Sequence, residues 1–181
     1  RIRAKIMNVS KALIVLGFLL FSFGGYLTYQ RYSPKNLEFQ GLQVSKNVSS
    51  SITPVRISVP SLNIDNAVFP ASIKKGNWES TTKGISYLSS SPTPGSGGNS
   101  ILYGHNWPSI LGNLTKIKPG EKIEIVMNTG EKKVFTVEFT SIVDPSQTHI
   151  LSQTSDNRIT LYTCTGFLDS KRFVATATLT D

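Results

Sequence analysis

Apolar residues in this chain follow two different patterns. From Ala12 to Tyr29 they are nearly continuous and no charged residue interrupts them. From Val55 onward they come in short runs that alternate with polar residues, bounded by Gly, Pro, Asn and Ser. Period-two alternation between turn residues is the mark of half-buried strands. Val55, Ile57 and Val59 form the first such run, closed by Pro60, and a second is expected around Ala67–Phe69. Ser100–Tyr103 reads as a buried strand, and Lys122–Met127 and Lys133–Phe139 flank Asn128-Thr-Gly130 as a hairpin. Glycine suits that turn because it accepts positive φ. Thr140–Val143 continues the second arm or begins another strand, and Ile159, Leu161 and Thr163 alternate before Phe173–Leu179. Helical spacing occurs at Ile110, Leu111, Leu114 and Ile117, ended by Lys118-Pro119-Gly120, and a helical turn is expected near Thr82–Leu88. Ser89 to Gly98 is a loop. Seven or eight short strands with little helix predict a mostly β domain, a mostly antiparallel barrel or sandwich without internal repeats.

The apolar stretch changes the picture of the N-terminus. Its length is near the lower end of what crosses a bilayer as a helix, about 17–25 residues. Tyr26, Tyr29 and Tyr32 lie where an interfacial aromatic belt belongs, and Arg1, Arg3, Lys5 and Lys11 precede the segment. Positive charge stays on the cytoplasmic side. The expected layout is a cytoplasmic tail at 1–11, a transmembrane anchor at 12–32, a polar linker at 33–54 and an external domain at 55–181. A cleaved signal peptide is the rival. Bulky Tyr26 and Tyr29 stand where small residues should mark its cleavage site. Those four basic residues also account for half of the net charge of +8. The remaining basic residues are scattered, with no run and no interleaved aromatics, which argues against nucleic-acid binding.

The chain has 181 residues and a single cysteine, Cys164, so no disulfide can form within it. A free cysteine is most often a small buried hydrophobe. Here it ends a β-type run, Gly166 breaks the pattern after it, and Arg172 opens the next run. If the two runs pair, a guanidinium lies near the thiol, and a nearby cation favours the nucleophilic thiolate. His105 follows Ser100–Tyr103 and Gly104, on what reads as an exposed turn, and is the candidate proton carrier. Most such histidines are merely surface residues. His149 lies in a polar loop and reads as structural or solvent-facing.

Thr160-Leu-Tyr-Thr-Cys164 resembles the T-L-x-T-C motif of the sortases, with Gly104-His105 upstream and Arg172 eight positions downstream. The order and spacing agree with that family's triad, and the resemblance runs from about Val55 to Asp181. It implies an eight-stranded β-barrel with one or two short helices behind an N-terminal transmembrane helix. It also implies a cysteine transpeptidase of Gram-positive-type cell surfaces. On that resemblance Cys164 is the nucleophile, His105 the general acid and base, and Arg172 the oxyanion or substrate-backbone ligand. Thr163 and Asn106 are the candidate substrate-binding residues, Asn106 by adjacency alone. The implied acyl donor is a protein bearing a Leu-Pro-x-Thr-Gly sorting signal, cut between Thr and Gly. The implied acceptor is an amine of peptidoglycan precursor or of a pilin.

Glu79, Asp144, Asp156 and Asp169 are scattered, whereas calcium needs several clustered oxygen ligands. No metal site and no cofactor are expected. Pilus-building sortases often carry a lid with an Asp-Pro-aromatic motif and a second hydrophobic anchor. The segment before Val55 shows no such motif, and nothing apolar follows the domain as far as Asp181, so a housekeeping role is expected over pilin polymerisation. Cross-linking transpeptidases of the other cell-wall type keep His and Arg beside the Cys, where this chain has Thr163 and Thr165. A non-catalytic, membrane-tethered wall-binding β-domain is the remaining alternative, and it would have no need of a reactive thiol.

Overall fold

The computed structural model describes residues 2–31, 33–41, 51–74 and 76–180. Two compact units result, one up to Ser33 and one from Pro34 onward. The first is a single helix, α1 (Ile2–Arg31), whose Val9–Gln30 portion is long and apolar enough to cross a membrane.

The second unit contains ten strands. These are β1 (Pro54–Val59), β2 (Ile64–Ala71), β3 (Ile73–Lys74), β4 (Asn77–Trp78) and β5 (Ile85–Leu88), then β6 (Gly98–Tyr103), β7 (Lys122–Met127), β8 (Lys132–Val143), β9 (Asn157–Thr165) and β10 (Lys171–Leu179). Eight of them close a barrel in the order β1-β2-β5-β6-β9-β10-β8-β7, and β3 and β4 form a separate ribbon. The barrel is not wholly antiparallel. The pairs β2–β5 and β6–β9 are parallel. Parallel neighbours need a long crossover, and here β3–β4 and the β7–β8 hairpin lie within the two connections. The hairpin itself is as expected, with Gly130 at φ +87, and Thr140–Val143 simply completes the twelve-residue β8.

Two expectations of helix fail. Residues 85–88 form a fully buried strand beside β2 rather than a helical turn. Gly84 allows this, since a Cβ there would lie 2.3 Å from the Ala67 carbonyl oxygen. Ile110, Leu111, Leu114 and Ile117 are all buried, as their spacing required. Their backbone, however, runs through tight turns and one 3-10 segment, Leu114–Lys116. The bonds there span three residues, Ile110 N–H to the Trp107 carbonyl (2.9 Å) and Leu114 N–H to the Leu111 carbonyl (2.9 Å). A 3-10 turn still gathers neighbouring side chains on one side, so the apolar spacing served a cap on the barrel, not a helix.

The strands of the barrel's far wall are buried on both faces. Ile57, Leu102, Ile125, Phe135, Leu161 and Ala175 belong to the inner core. Ile101, Tyr103, Tyr162, Cys164 and Val174, from the alternate positions of β6, β9 and β10, form a second core on the outer face. Its cover comes partly from Trp78 and partly from the region expected as a linker. Residues 34–41 pack on the barrel, with Leu37 and Phe39 buried. The Phe39 ring meets Tyr162 edge-on at 5.0 Å and Trp78 at 6.3 Å. Burying two such side chains contributes about 1.5–3 kcal/mol each. The remainder of the expected linker, up to residue 50, lies outside the described residues.

Candidate active site

Register brings the three candidate residues to one level of the barrel wall. Across the antiparallel β9–β10 ladder, Cys164 and Arg172 are direct Cα partners. Across the parallel β6–β9 ladder, Tyr103 pairs with Tyr162. His105 lies two residues past Tyr103, as Cys164 lies two past Tyr162. The ladder persists one step further through Gly104 N–H to the Tyr162 carbonyl (3.3 Å). The order across the sheet is therefore His105, Cys164, Arg172.

Each residue is then fixed locally. Thr163, wholly buried, donates its hydroxyl to the Gly104 carbonyl at 2.8 Å. It ties β9 to the backbone just before His105. The His105 imidazole stacks on Trp107, with centroids 4.4 Å apart and planes 11° off parallel. Contrary to the exposed turn expected, His105 is only 3 % exposed. Trp107, two residues on, was missed in the sequence, since no spacing rule links a ring to the imidazole it covers. Asn106 donates to the Asp169 carboxylate at 3.5 Å. His149 is exposed in the 3-10 segment Thr148–Leu151.

Between Cys164 and Arg172 the chain makes a tight turn with Leu168 at φ +50 and Asp169 at φ +59. Left-handed backbone is uncommon outside glycine. It turns the Asp169 carbonyl toward Arg172, whose Nη1 donates to it at 2.9 Å and to the Lys171 carbonyl at 3.0 Å. Nη2 donates to the Glu38 carbonyl at 2.9 Å. Arg172 Nε is buried with no hydrogen-bond partner among the described residues. Such a donor is rare in native proteins and calls for an explanation. Here it leaves one N–H of the guanidinium available.

Proton affinities in this packed state favour the neutral forms. Burial pushes the Cys164 thiol up to about 12, although the Arg172 charge pulls the other way. Burial likewise lowers His105, and the Asp169 carboxylate partly opposes that. Arg172 does pull the thiol toward the thiolate, as expected, but burial is the larger effect. Loss of hydration around a thiolate outweighs one neighbouring cation. Among the described residues no group of three or more His, Cys, Asp or Glu side chains is arranged to hold a metal ion.

Residues 57–180 match the family model described as the sortase domain. The chain belongs to the sortase family. Sortase A of Listeria monocytogenes is 32 % identical over 127 residues, covering 68 % of this chain. The match spans about half, 54 %, of that relative's length. The crystal structure of a Listeria monocytogenes sortase A superposes with a TM-score of 0.59 at 28 % identity, covering 73 % of this sortase and 89 % of the other chain. Sortase C-1 from Actinomyces oris gives a TM-score of 0.63 at 19 % identity, covering 87 % and 99 %. At that identity the likeness speaks for the barrel alone. Sortase family members are cysteine transpeptidases. The expected eight-stranded sortase barrel behind an apolar N-terminal helix is the fold observed.

Proposed function

We propose that this sortase is a membrane-anchored transpeptidase in which Cys164, His105 and Arg172 carry the chemistry. The observation behind this is the register, which sets His105, two residues past β6, level with Cys164 on β9 and with Arg172 opposite it on β10. The Cys164 proton passes to His105 when the site opens, and the thiolate attacks the carbonyl carbon of a peptide bond. Arg172 stabilises the oxyanion of the tetrahedral intermediate, its spare Nε–H adding to Nη donors. Collapse breaks the C–N bond, His105 protonates the departing amine, and a thioacyl-enzyme remains. An incoming amine gives its proton to His105 as its nitrogen displaces the sulfur, which restores the thiolate.

The acyl donor we infer carries a Leu-Pro-x-Thr-Gly signal cut between Thr and Gly, and the acceptor is an amine of peptidoglycan precursor. The anchor is assigned to 12–32, with residues 1–11 cytoplasmic and the catalytic domain from Val55 to Asp181 outside. The positive flank supports that orientation. A housekeeping role in protein anchoring is proposed over pilin polymerisation.

The test uses the full chain in detergent micelles with a fluorogenic Leu-Pro-x-Thr-Gly peptide, with and without an amine. Cleavage absent from Cys164→Ala, with ligated product when amine is supplied, is the expected result. A folded protein whose Cys164 forms no thioacyl adduct with any such peptide would instead be a wall-binding β-domain.

A further inference from the structure

A general acid and base must be able to hold a proton and to give it up, so both forms of the His105 ring have to lie close in energy. Burial works against the imidazolium, and the Asp169 carboxylate works for it. The titratable and charged groups at this level are Asp169 of the β9–β10 turn, Cys164 of β9 and Arg172 of β10. Residues 106–113, the turn that carries the histidine, contain no charged side chain. Arg172 is a cation and gives the imidazolium no help. What that turn does bring is an aromatic face.

The Trp107 indole lies parallel to the His105 imidazole, with centroids 4.4 Å apart and planes 11° off parallel. The indole also packs against the inner core of the barrel. The backbone beneath the two rings is clamped. Leu111 N–H donates to the His105 carbonyl at 3.1 Å, and the N–H groups of Ile110 and Gly112 donate to the Trp107 carbonyl at 2.9 and 2.8 Å. A Cβ at residue 112 would lie 2.8 Å from that same carbonyl, so the close approach requires glycine. Ile110, Leu111 and Leu114 bury the far side of the turn. The apolar cap thus holds imidazole and indole in one fixed arrangement.

A cation within about 6 Å of an aromatic centroid, over its face, is attracted by the ring quadrupole, and indole is the strongest of the rings. The attraction grows where water is excluded, and His105 is buried. A neutral imidazole in the same place gains no such charge attraction. An interaction that favours one protonation state displaces the titration toward it.

We propose that Trp107 is a positioning residue for the general acid, its indole face fixing the His105 ring and favouring the imidazolium that protonates the departing amine. The use of that imidazolium in catalysis rests on the transpeptidase reading; the stack and its effect on the ring's titration do not.

The test follows the imidazole signals by NMR across pH, in the full chain in detergent micelles with isotopically labelled histidine. His105 and His149 are the chain's two histidines, and His149→Gln tells their signals apart. Trp107→Leu keeps an apolar side chain on the turn and removes the aromatic face. The His105 midpoint should fall by about half a pH unit or more, the size expected for one lost cation–π contact, while His149 stays in place. Trp107→Phe keeps a weaker face and should recover part of the shift. A His105 midpoint that stays or rises in a Trp107→Leu protein with its thermal transition intact would overturn the proposal. If the leucine variant does not fold, Trp107→Phe carries the test, with a smaller fall expected and no fall overturning it. With a Leu-Pro-x-Thr-Gly peptide, the acid limb of the kcat/KM profile should move to lower pH by the same amount. A lowered midpoint with an unmoved acid limb would remove Trp107 from the chemistry. A lowered midpoint in a protein that turns over no such peptide would uphold the stack and count against the transpeptidase reading.

Discussion

Cys164 and Arg172 stand directly opposite one another across the β9–β10 ladder. They are eight positions apart in the chain, yet the antiparallel register makes them Cα partners. The intervening turn also supplies the Asp169 carbonyl that holds the guanidinium in place. One hairpin therefore sets both the distance and the orientation of cation and sulfur.

That geometry distinguishes arginine from lysine at position 172. The guanidinium reaches three carbonyls through Nη1 and Nη2 and keeps Nε–H in reserve. An ammonium retains the charge but not the fork. Arg172→Lys should lower kcat/KM for the peptide by about 10²–10³-fold, the usual scale for removing an oxyanion donor. Activity within a few-fold of wild type would show that charge alone suffices.

Thr163 acts through the backbone. Replacing it by valine leaves the Gly104 carbonyl without its 2.8 Å partner in a buried position. The stability cost should be about 1–3 kcal/mol, read as a lower Tm. Because Gly104 precedes His105, kcat should fall as well. A variant that loses stability but keeps full kcat would limit Thr163 to a structural role.

Stability should decline on both sides of neutrality for separate reasons. The buried Cys164 thiol is raised to about 12, while the unfolded thiol ionises near about 8.5. The folded chain thus retains a proton that the unfolded chain releases, so stability falls as pH climbs from about 8.5 toward 12. His105 is lowered by burial, so its contribution is present above the unfolded value of about 6.5 and is lost as pH drops below it. Thermal melts between pH 5 and 10 should show a weaker alkaline decline in Cys164→Ala and a weaker acid decline in His105→Gln. Unaltered slopes in both would contradict this account.

Gly84 is set by close approach of backbone. A Cβ at that position would lie 2.3 Å from the Ala67 carbonyl oxygen and 3.1 Å from the Phe69 ring. Gly84→Ala must push β5 away from β2, and overpacking of this kind costs about 1–3 kcal/mol. A Tm equal to wild type would mean that the parallel β2–β5 pair yields more readily than its packing suggests.

Local patterns were enough to single out the candidate residues. Cys164 at a strand end and Arg172 at the next strand's start are readable because strand period and turn residues are properties of short segments. The β7–β8 hairpin is readable for the same reason, through Gly130. The apolar N-terminal helix follows from composition alone. Residues 82–88 were misread because Gly84 is explained only by the Ala67 carbonyl opposite it, far away in sequence terms for a local rule. The spacing of Ile110, Leu111, Leu114 and Ile117 points to a helix that does not form, because helical spacing and successive 3-10 turns both place apolar residues on one side.

What the chain determined by itself is the set of reactive groups, their order and their strands. Tertiary structure alone decided their state. The parallel β6–β9 pairing placed His105 level with Cys164, and the polar-looking segment 34–41 packed Leu37 and Phe39 into the outer core that holds the thiol. Burial is a sum over everything that packs on a residue, and here the decisive layer comes from residues more than a hundred positions away. That layer raises the proton affinity of a thiol that the neighbouring arginine would by itself lower, and gives the thiol a peptide carbonyl to donate to.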